Sequence, residues 1–415
     1  MRKHERALAF GGRLLAGFLV LMSYGAAQDT SPTLTTLYAF TNRGGDSYQP
    51  KGLTLGQGGV LYGATYSTVF SLTPPVTPGG PWTETVLYTL CQIGCYVNDG
   101  LVLDPSGVLY GTTNYGGDQS LGSVFSLAPP TSPGGSWTGS QLYSFLGEED
   151  GAYPLGGLAR DPDGVLYGTT NQNGVGKAGT VFSLSPSATP GGTWTIRTLH
   201  SFSGGDGGAP RARVVIGTGG VLYGTTSDRG AAGKGTAFSL TPPASAGDSW
   251  TETVLYSFQG TPDGGAPYAE LTIGSGGVLY GTTRYGGATG VGTVFSLTPP
   301  ATPGGVWTET VLHSFDARRD GAEPWAGVAI AASGSLCGTT AGYIRSHVYY
   351  GTAFVLAPPA TAGDPWQFDL LHTFTGGVDE GFPQGTPVIG ARGAIYGTTG
   401  GANGVGYGTV FSITQ

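Results

Sequence analysis

The sequence contains few of the residues that most often carry catalysis or bind transition metals. Among its 415 residues are five histidines, three cysteines and two methionines, and charged residues make up only 11%. It contains no G-x-S-x-G nucleophile elbow and no Ser-His-Asp set in loops that could meet. We therefore expect no catalytic residue, no metal site and no cofactor.

Long apolar segments are also absent. The apolar run at residues 14–22 is too short for a comfortable membrane span, follows a basic start and precedes small residues at 25–27. This pattern is typical of a secretory signal. We predict a signal peptide over residues 1–27, a single mature domain over residues 28–415 without a transmembrane segment, and a secreted, extracellular or periplasmic location. A retained N-terminal anchor helix is the alternative.

Positive charge is scarce in the predicted mature chain. Cleavage removes four cations and one anion, which changes the formal net charge from −8 to −11. A polyanion such as nucleic acid is therefore excluded as a partner.

Glycine and turn residues are abundant, and they recur with a period. The chain has 78 glycines and 28 prolines, and the motif G-x-L-Y-G-T-T returns about every 57 residues. Its aromatic position is occupied, in order, by Tyr62, Tyr110, Tyr167, Tyr223, Tyr280, Cys337 and Tyr396. A repeat of this length is one supersecondary unit that buries its apolar face against its neighbours.

The fifth copy shows the plan of each repeat. Four strand-like runs, at residues 269–273, 278–283, 293–298 and 307–315, are separated by glycine- or proline-rich turns. Four antiparallel strands form one propeller blade. The sequence therefore predicts an all-β fold, a seven-bladed β-propeller.

The two ends of the repeat array predict how the ring closes. Residues 34–40, LTTLYAF, match a fourth strand without a preceding three, and the chain ends in GTVFSITQ, which matches a third strand. The N-terminal strand can complete the last blade, which would hide two open sheet edges.

The motif G-x-L-Y-G-T-T, followed by GG-x-x-G-x-G-T-V-F, resembles the GloVer-type (Gloeo_Verruco) tandem repeat. The resemblance covers nearly the whole mature chain. It implies a secreted or surface-anchored bacterial protein of a family without an assigned activity. Some members end in a sorting signal, and we expect this chain to depart from that pattern by ending in a strand.

Six interblade loops contain Asp-x-x-x-Pro, with the aspartates at Asp46, Asp150, Asp206, Asp263, Asp320 and Asp379. Calcium needs about six to eight converging oxygens, whereas one carboxylate per blade is spread around a circle. We interpret these residues as turn formers that bond nearby backbone N–H groups. Calcium binding is the alternative.

Histidine and cysteine positions favour structural roles. His200, His313 and His372 occupy the fourth-strand position held elsewhere by tyrosine, so they lie on different blades and cannot converge on zinc. Cys91 and Cys95 lie in the one interblade loop without Asp-x-x-x-Pro, and we predict a disulfide between them. We expect Cys337, at a core aromatic position, to be a buried thiol.

Blade 6 departs most from the repeat. Its loops should lie on the rim that carries the variable loops, and they supply the candidate ligand-binding residues Arg318, Arg319, Trp325, Tyr343, Arg345, His347 and Tyr349. Trp325 follows a loop proline, where other blades have Lys51, Leu155, Arg211, Tyr268 and Gln384, and we add Lys51, Arg211 and Tyr268 as candidates at the channel mouth. Aromatics mixed with arginine suit sugars, carboxylated sugars or an aromatic peptide. The alternative is that the loop packs its own aromatics.

Three functions fit these features. The first is a monomeric extracellular propeller that binds or scaffolds a carbohydrate or a cell-surface protein, with a glycan held by the blade-6 rim. The second is a propeller enzyme, a lactonase or a polysaccharide-cleaving enzyme, that uses carboxylates such as Glu148, Glu149 and Asp150, or Asp379 and Glu380. The third is a structural surface protein without a small ligand.

Overall fold

The computed structural model describes residues 31–43, 45–90, 93–189, 191–245, 247–302, 304–344, 347–348, 350–361, 363–401 and 406–414. Their regular structure is almost entirely β. The strands are, in chain order, β1 (Thr33–Ala39), β2 (Leu53–Leu55), β3 (Leu61–Ala64), β4 (Thr68–Thr73), β5 (Thr83–Thr89), β6 (Val102–Leu103), β7 (Leu109–Thr113), β8 (Ser123–Ala128), β9 (Thr138–Ser144), β10 (Ala159–Arg160), β11 (Leu166–Thr170), β12 (Thr180–Ser185), β13 (Thr195–Ser201), β14 (Val215–Ile216), β15 (Leu222–Thr226), β16 (Thr236–Thr241), β17 (Thr251–Ser257), β18 (Thr272–Ile273), β19 (Leu279–Thr283), β20 (Thr293–Thr298), β21 (Thr308–Ser314), β22 (Ala329–Ile330), β23 (Leu336–Thr340), β24 (Tyr343–Ile344), β25 (His347–Val348), β26 (Thr352–Ala357), β27 (Gln367–Thr373), β28 (Val388–Ile389), β29 (Ile395–Thr399) and β30 (Thr409–Thr414). Short 3-10 turns occur at Gln57–Gly59, Thr218–Gly220, Ser275–Gly277 and Ala391–Gly393.

The strands form seven four-stranded antiparallel sheets, which are the blades of a propeller. Blades 1 to 5 take strands β2–β5, β6–β9, β10–β13, β14–β17 and β18–β21, in that order. Blade 6 takes β22, β23, β26 and β27, with the small hairpin β24–β25 inserted before its third strand. Blade 7 takes β28–β30 and β1. The predicted seven-bladed β-propeller is confirmed.

Blade 7 closes the ring as the sequence predicts. Strand β1 pairs antiparallel with β30, from Thr33 opposite Thr414 to Ala39 opposite Thr409. The innermost strand of this blade, β28, contacts the innermost strands of blades 6 and 1. Both open edges of an unclosed array are therefore paired.

The repeated motif forms the core of each blade. The glycine of the LYG segment, such as Gly168, leaves room for a buried phenylalanine of the next strand, because a Cβ there would lie 2.6 Å from the Phe182 ring. At the end of the same hairpin, the Thr170 and Thr180 hydroxyls are 2.8 Å apart and buried. These contacts explain why Gly, Thr and Phe recur at fixed spacing.

Tryptophan and tyrosine join neighbouring blades. In blades 1 to 6 the tryptophan that precedes the outer strand packs against the motif tyrosine of the preceding blade, as Trp250 does edge-on against Tyr167 with ring centroids 6.1 Å apart. Strand β1, the outer strand of blade 7, has no tryptophan before it. On the preceding blade, blade 6, the motif position that is otherwise tyrosine is Cys337, which packs in the same cluster as Leu34 of β1. The exception in the motif therefore lies at the blade junction that lacks tryptophan.

The innermost strands are shorter than predicted. In blade 5 the expected strand over residues 269–273 forms ladder bonds only at Thr272–Ile273. The preceding backbone bonds across the blade junction instead, because the Ala269 carbonyl accepts a hydrogen bond from the Thr225 hydroxyl of blade 4 at 3.1 Å.

Candidate functional site

Two sets of loops form one rim of the propeller: the interblade loops, and the loops between the second and third strands of each blade. Backbone hydrogen bonds tie the two sets together, as between Ala152 and Gln172 and between Gly265 and Tyr285. The prediction that both variable loop sets share one rim is therefore confirmed. We call the opening that they surround the mouth.

Each interblade loop contains a left-handed residue just before the chain turns into the mouth. The seven residues, with φ between 51° and 65°, are Gln49, Tyr96, Tyr153, Ala209, Ala266, Glu323 and Phe382. Such non-glycine conformations cost on the order of 1–3 kcal/mol each and cluster at functional sites. A hydrogen bond between loops holds each one, such as that from the Tyr153 N–H to the Leu121 carbonyl at 2.8 Å. The backbone of the mouth is therefore preorganised.

The residues two positions further on line the inside of the mouth, and five of them form an arc. The Arg211 guanidinium lies 4.5 Å from the Tyr268 ring centroid, and Tyr268 meets Trp325 edge-on at 5.9 Å. Across blades 7 and 1, Lys51 Nζ donates a hydrogen bond to Gln384 Oε1 at 2.8 Å, and burial lowers the pKa of Lys51 to about 8. Four of the predicted candidates thus lie on one continuous arc.

A second arginine joins this arc from the loop of blade 5. The Arg284 guanidinium lies 4.3 Å from the Trp325 ring and 5.0 Å from the Tyr268 ring. Its Nε and Nη2 both donate to Glu323 Oε2, at 3.0 and 2.9 Å, and the two side chains are only 15% and 12% exposed. We call Arg211, Tyr268, Arg284, Glu323 and Trp325 the arginine cluster.

A cavity of about 380 Å³ opens at the mouth where blades 6, 7 and 1 meet. Four aromatic and three amide side chains line it: Tyr48, Trp325, Phe382, Tyr407, Asn42, Gln49 and Gln384. The other described lining residues are Ala341 and three glycines, so this part of the chain contributes no charged side chain to the lining. We call this cavity the mouth pocket.

Glu380 fixes the blade-7 loop beside the mouth pocket. Its carboxylate accepts hydrogen bonds from the N–H groups of Tyr407, at 3.2 Å, and Gly408. Burial raises the pKa of Glu380 above its ordinary value. The carboxylate therefore holds the loop rather than facing the pocket with unpaired oxygens.

Deeper in the channel, a polar cluster crosses several blades. Arg213 Nη2 lies 3.3 Å from Glu270 Oε1, and burial raises the pKa of Glu270 while Arg213 opposes that shift. Asp99 accepts hydrogen bonds from the N–H groups of Gly100 and Gly157, at 2.6 and 2.8 Å. The displaced aspartate of blade 2 thus ties blades 2 and 3 together at the channel.

The whole repeat region matches one family model. The Gloeobacter/Verrucomicrobia repeat model matches residues 26–190 and 187–411. The chain belongs to the Gloeobacter/Verrucomicrobia repeat family. No curated protein matches the sequence.

Solved structures similar to this Gloeobacter/Verrucomicrobia repeat protein share its fold at low identity. A streptogramin B lyase is 15% identical with a TM-score of 0.56, covering 92% of this chain and 97% of its own. A virginiamycin B lyase from Staphylococcus aureus, solved with quinupristin, is 15% identical with a TM-score of 0.56, covering 93% and 100%. The extracellular domain of a putative hybrid two-component system from B. thetaiotaomicron is 12% identical with a TM-score of 0.54, covering 92% of this chain and 41% of the other.

The blade-6 candidates of this repeat protein separate into two places. Trp325 lines the mouth pocket, whereas Arg318 and Arg319 line a different cleft of about 320 Å³ with Tyr350. Arg319 is 84% exposed and lies 3.6 Å from Asp316. Two more candidates, Tyr343 and His347, lie on hairpin β24–β25. The last two, Arg345 and Tyr349, lie outside the described residues.

The repeated loop aspartates bond residues of their own loop and of the strand before it. Asp150, for example, accepts hydrogen bonds from the Leu146 N–H at 2.8 Å and from the Tyr143 hydroxyl at 2.9 Å. His200 bonds Asp206 in the same way at 2.8 Å. The prediction that the three histidines replace tyrosine at one repeat position is confirmed.

The cysteines are only partly accounted for. Cys337 is buried, as predicted, and burial raises the pKa of its thiol to about 11. Cys91 lies outside the described residues, so the Cys91–Cys95 disulfide stays a prediction. Within the described chain, no helix is long and apolar enough to cross a membrane.

Sequence reasoning missed a row of tyrosines along the rim of this repeat protein. We call it the tyrosine row, and it consists of Tyr48, Tyr66, Tyr96, Tyr115 and Tyr153. Its members alternate between the two loop sets, so they do not share one repeat position. A search for aromatics in both loop sets of consecutive blades would have found them.

Proposed function

We propose that this chain is an exported, monomeric binding propeller whose mouth pocket holds a neutral sugar unit of an extracellular glycan. The observation that carries the proposal is the lining of that pocket, which combines aromatic rings with amides and has no charged side chain among its described residues. The secretory signal predicted over residues 1–27 supports export.

The pocket chemistry suits a sugar. Tyr407 and Trp325, whose ring also contacts the Arg284 guanidinium, contribute apolar surface to the lining, against which the C–H face of a pyranose can pack. Amide side chains can donate and accept hydrogen bonds, which matches hydroxyl groups that do both. Asn42, Gln49 and Gln384 supply such amides, and the Gln384 oxygen also accepts a hydrogen bond from Lys51. A pocket volume of a few hundred Å³, mostly apolar with a few polar groups, is typical of a small-ligand site.

An enzyme is the second candidate, supported by a fold similar to that of the two lyases. Glu323 and Glu380 are carboxylates next to the pocket, and a lactonase or polysaccharide-cleaving enzyme would need such groups free for proton transfer. Both already accept hydrogen bonds, Glu323 from Arg284 and Glu380 from the blade-7 loop. This pairing favours binding over turnover. Turnover that is abolished by Glu380→Gln would favour the enzyme.

The test is binding of purified residues 28–415 to a broad glycan array, followed by calorimetry with each hit. We expect Trp325→Ala to lower affinity about tenfold to a hundredfold, because a buried aromatic anchor typically contributes 1–3 kcal/mol. Trp325→Phe should retain most of the affinity. Size-exclusion chromatography checks that the chain is a monomer.

Arg318→Ala/Arg319→Ala is the matched control on the same blade. These residues line the separate cleft, so the double variant should bind as the wild type does. Loss of binding in this double variant with full binding by Trp325→Ala would move the site to that cleft. No binding by the wild-type protein to any glycan, together with self-association, would instead favour the structural surface protein.

A further inference from the structure

The tyrosine row begins at the mouth pocket and continues along the rim. Tyr48 lines the pocket and stacks on Tyr66, with centroids 5.0 Å apart and planes 17° apart. The ring-centroid distances along the rest of the row are 3.8 Å from Tyr66 to Tyr96, 5.5 Å from Tyr96 to Tyr115 and 5.7 Å from Tyr115 to Tyr153. The row therefore passes without a gap from the pocket across blades 1, 2 and 3.

The rings of the row are fixed by the backbone. The N–H of Tyr66 bonds the Tyr48 carbonyl at 3.0 Å, and the N–H of Tyr96 bonds the Tyr66 carbonyl at 2.9 Å. Tyr96 and Tyr153 are two of the left-handed residues of the mouth. All seven interblade loops share this backbone conformation, and at these two positions it presents a tyrosine ring at the rim.

The row is uncharged and partly open to solvent. Tyr115 is 47% exposed, and the other four members are partly buried. A side-chain hydrogen bond to Tyr96, together with burial, raises the pKa of Tyr66, so its hydroxyl stays neutral. The row thus repeats the chemistry of the pocket: aromatic faces beside groups that donate and accept hydrogen bonds.

We propose that the tyrosine row is a series of sugar-binding subsites, so that the ligand is a linear neutral polysaccharide running from the mouth pocket across blades 1 to 3. This inference rests on the proposed function and names the ligand class of the same site. A ligand confined to the pocket would not reach Tyr115, which lies three ring contacts beyond Tyr48. An extended chain can contact the pocket and the row at once, so that its successive contacts add to one binding event.

The side of the mouth that carries the arginine cluster, which we call the arginine side, differs from the tyrosine row in its charge. There the Arg284 guanidinium lies 4.6 Å from the Tyr285 ring and 4.3 Å from the ring of Trp325, which also lines the mouth pocket, so the aromatic rings on this side lie close to a cation. No member of the tyrosine row is a charged residue, and we therefore expect uncharged sugars to prefer it.

The test uses neutral oligosaccharide series, from disaccharide to octasaccharide, of cello-, xylo-, manno- and galacto-type. Affinity of the wild-type protein for the matching series should rise with length, and Tyr115→Ala should lower affinity for the longest members about tenfold while leaving the shortest unchanged. Trp325→Ala should weaken all lengths. Calorimetry gives both measurements.

Tyr285→Ala is the matched control. Tyr285 holds the equivalent repeat position in blade 5, is 40% exposed and lies on the arginine side. It should leave the length dependence unchanged. Equal affinity of the wild type for short and long members, or equal losses from Tyr115→Ala and Tyr285→Ala, would overturn the row as subsites while leaving the pocket intact. Failure of every series, short members included, would overturn the proposed function itself.

Discussion

The two sides of the mouth share one backbone and differ in chemistry. On blades 4 to 6 the arginine cluster satisfies itself, because Arg284 is paired with Glu323 and packed against aromatic rings. On blades 1 to 3 the tyrosine row has neutral rings with partly exposed faces. The arginine side thus uses most of its side chains to hold the loops, with Trp325 also lining the mouth pocket, whereas the other side leaves a row of aromatic surface for a ligand.

The residue at the left-handed position accounts for part of this difference. Tyr96 and Tyr153 hold it on one side, and Ala209 and Ala266 hold it on the other. The same backbone geometry therefore presents a ring or only a methyl group. Next to the two alanines, the large side chains of the rim are those of the arginine cluster.

Deleting the strand that closes the ring should destabilise both sides of the mouth together. Strand β1 lies in blade 7, and Phe40, just after it, is buried against blade 1. A buried side chain of this size contributes about 1.5–3 kcal/mol, and the deletion also exposes the edge of strand β30. We expect deletion of residues 28–40 to remove cooperative unfolding by urea, whereas deletion of residues 28–32 should not. Unchanged stability after the longer deletion would show that the two sides stand without a closed ring.

Breaking the arginine cluster should lower the free energy of unfolding by less than deletion of residues 28–40 does. The loss should still be far larger than that from any substitution in the tyrosine row. Arg284→Ala leaves the mostly buried Glu323 carboxylate without its cation, and we expect a loss of about 3 kcal/mol. Tyr115→Ala, at an exposed ring, should stay within about 0.5 kcal/mol. Urea unfolding gives both values, with the exposed Arg319→Ala as the control for loss of charge. Equal effects of Arg284→Ala and Tyr115→Ala would contradict the division between the two sides.

The fold was predictable because the repeat exposes its own plan. Each copy of the motif places a glycine against a phenylalanine and a threonine beside another hydroxyl residue, so the strands can be identified in one blade and counted in the others. Closure followed from the unmatched strand at residues 34–40. The short innermost strands could not be read, because their backbone bonds the neighbouring blade, as Ala269 does with Thr225.

The site was only partly predictable, because position within a loop decides how close a residue lies to the channel. Each interblade loop runs from the outermost strand to the innermost, so Arg318 and Arg319, early in their loop, line an outer cleft, while Trp325, late in it, reaches the mouth. The contacts of Tyr48 with Tyr66 and of Tyr66 with Tyr96 join different loop sets and become visible only in three dimensions.

The smallest effect concerns the blade junctions beneath the two sides. Glu252 and Glu309 lie on the outer strands of blades 4 and 5, and each has a buried Oε1 without a hydrogen-bond partner in the described chain. Burial raises the pKa of both to about 7. Blade 1 has Glu84 at the same repeat position, also with an unpartnered buried Oε1 and with its pKa raised by burial to about 6, whereas blades 2 and 3 have Gly139 and Ile196. The buried glutamate therefore occurs on both sides of the mouth, and twice on the arginine side.

The sign of the resulting pH effect follows from proton binding. Between the ordinary glutamate pKa of about 4.5 and the folded value of about 7, the folded state binds more protons than the unfolded state, so stability falls as pH rises through this range. We expect the double variant Glu252→Gln/Glu309→Gln to be more stable than the wild type by about 1 kcal/mol at pH 8, after allowing for solvent screening, and by much less at pH 5. Urea unfolding at both pH values measures this, with the exposed Glu149→Gln as control. A gain of the same size at pH 5 would mean that the glutamates matter through packing rather than charge.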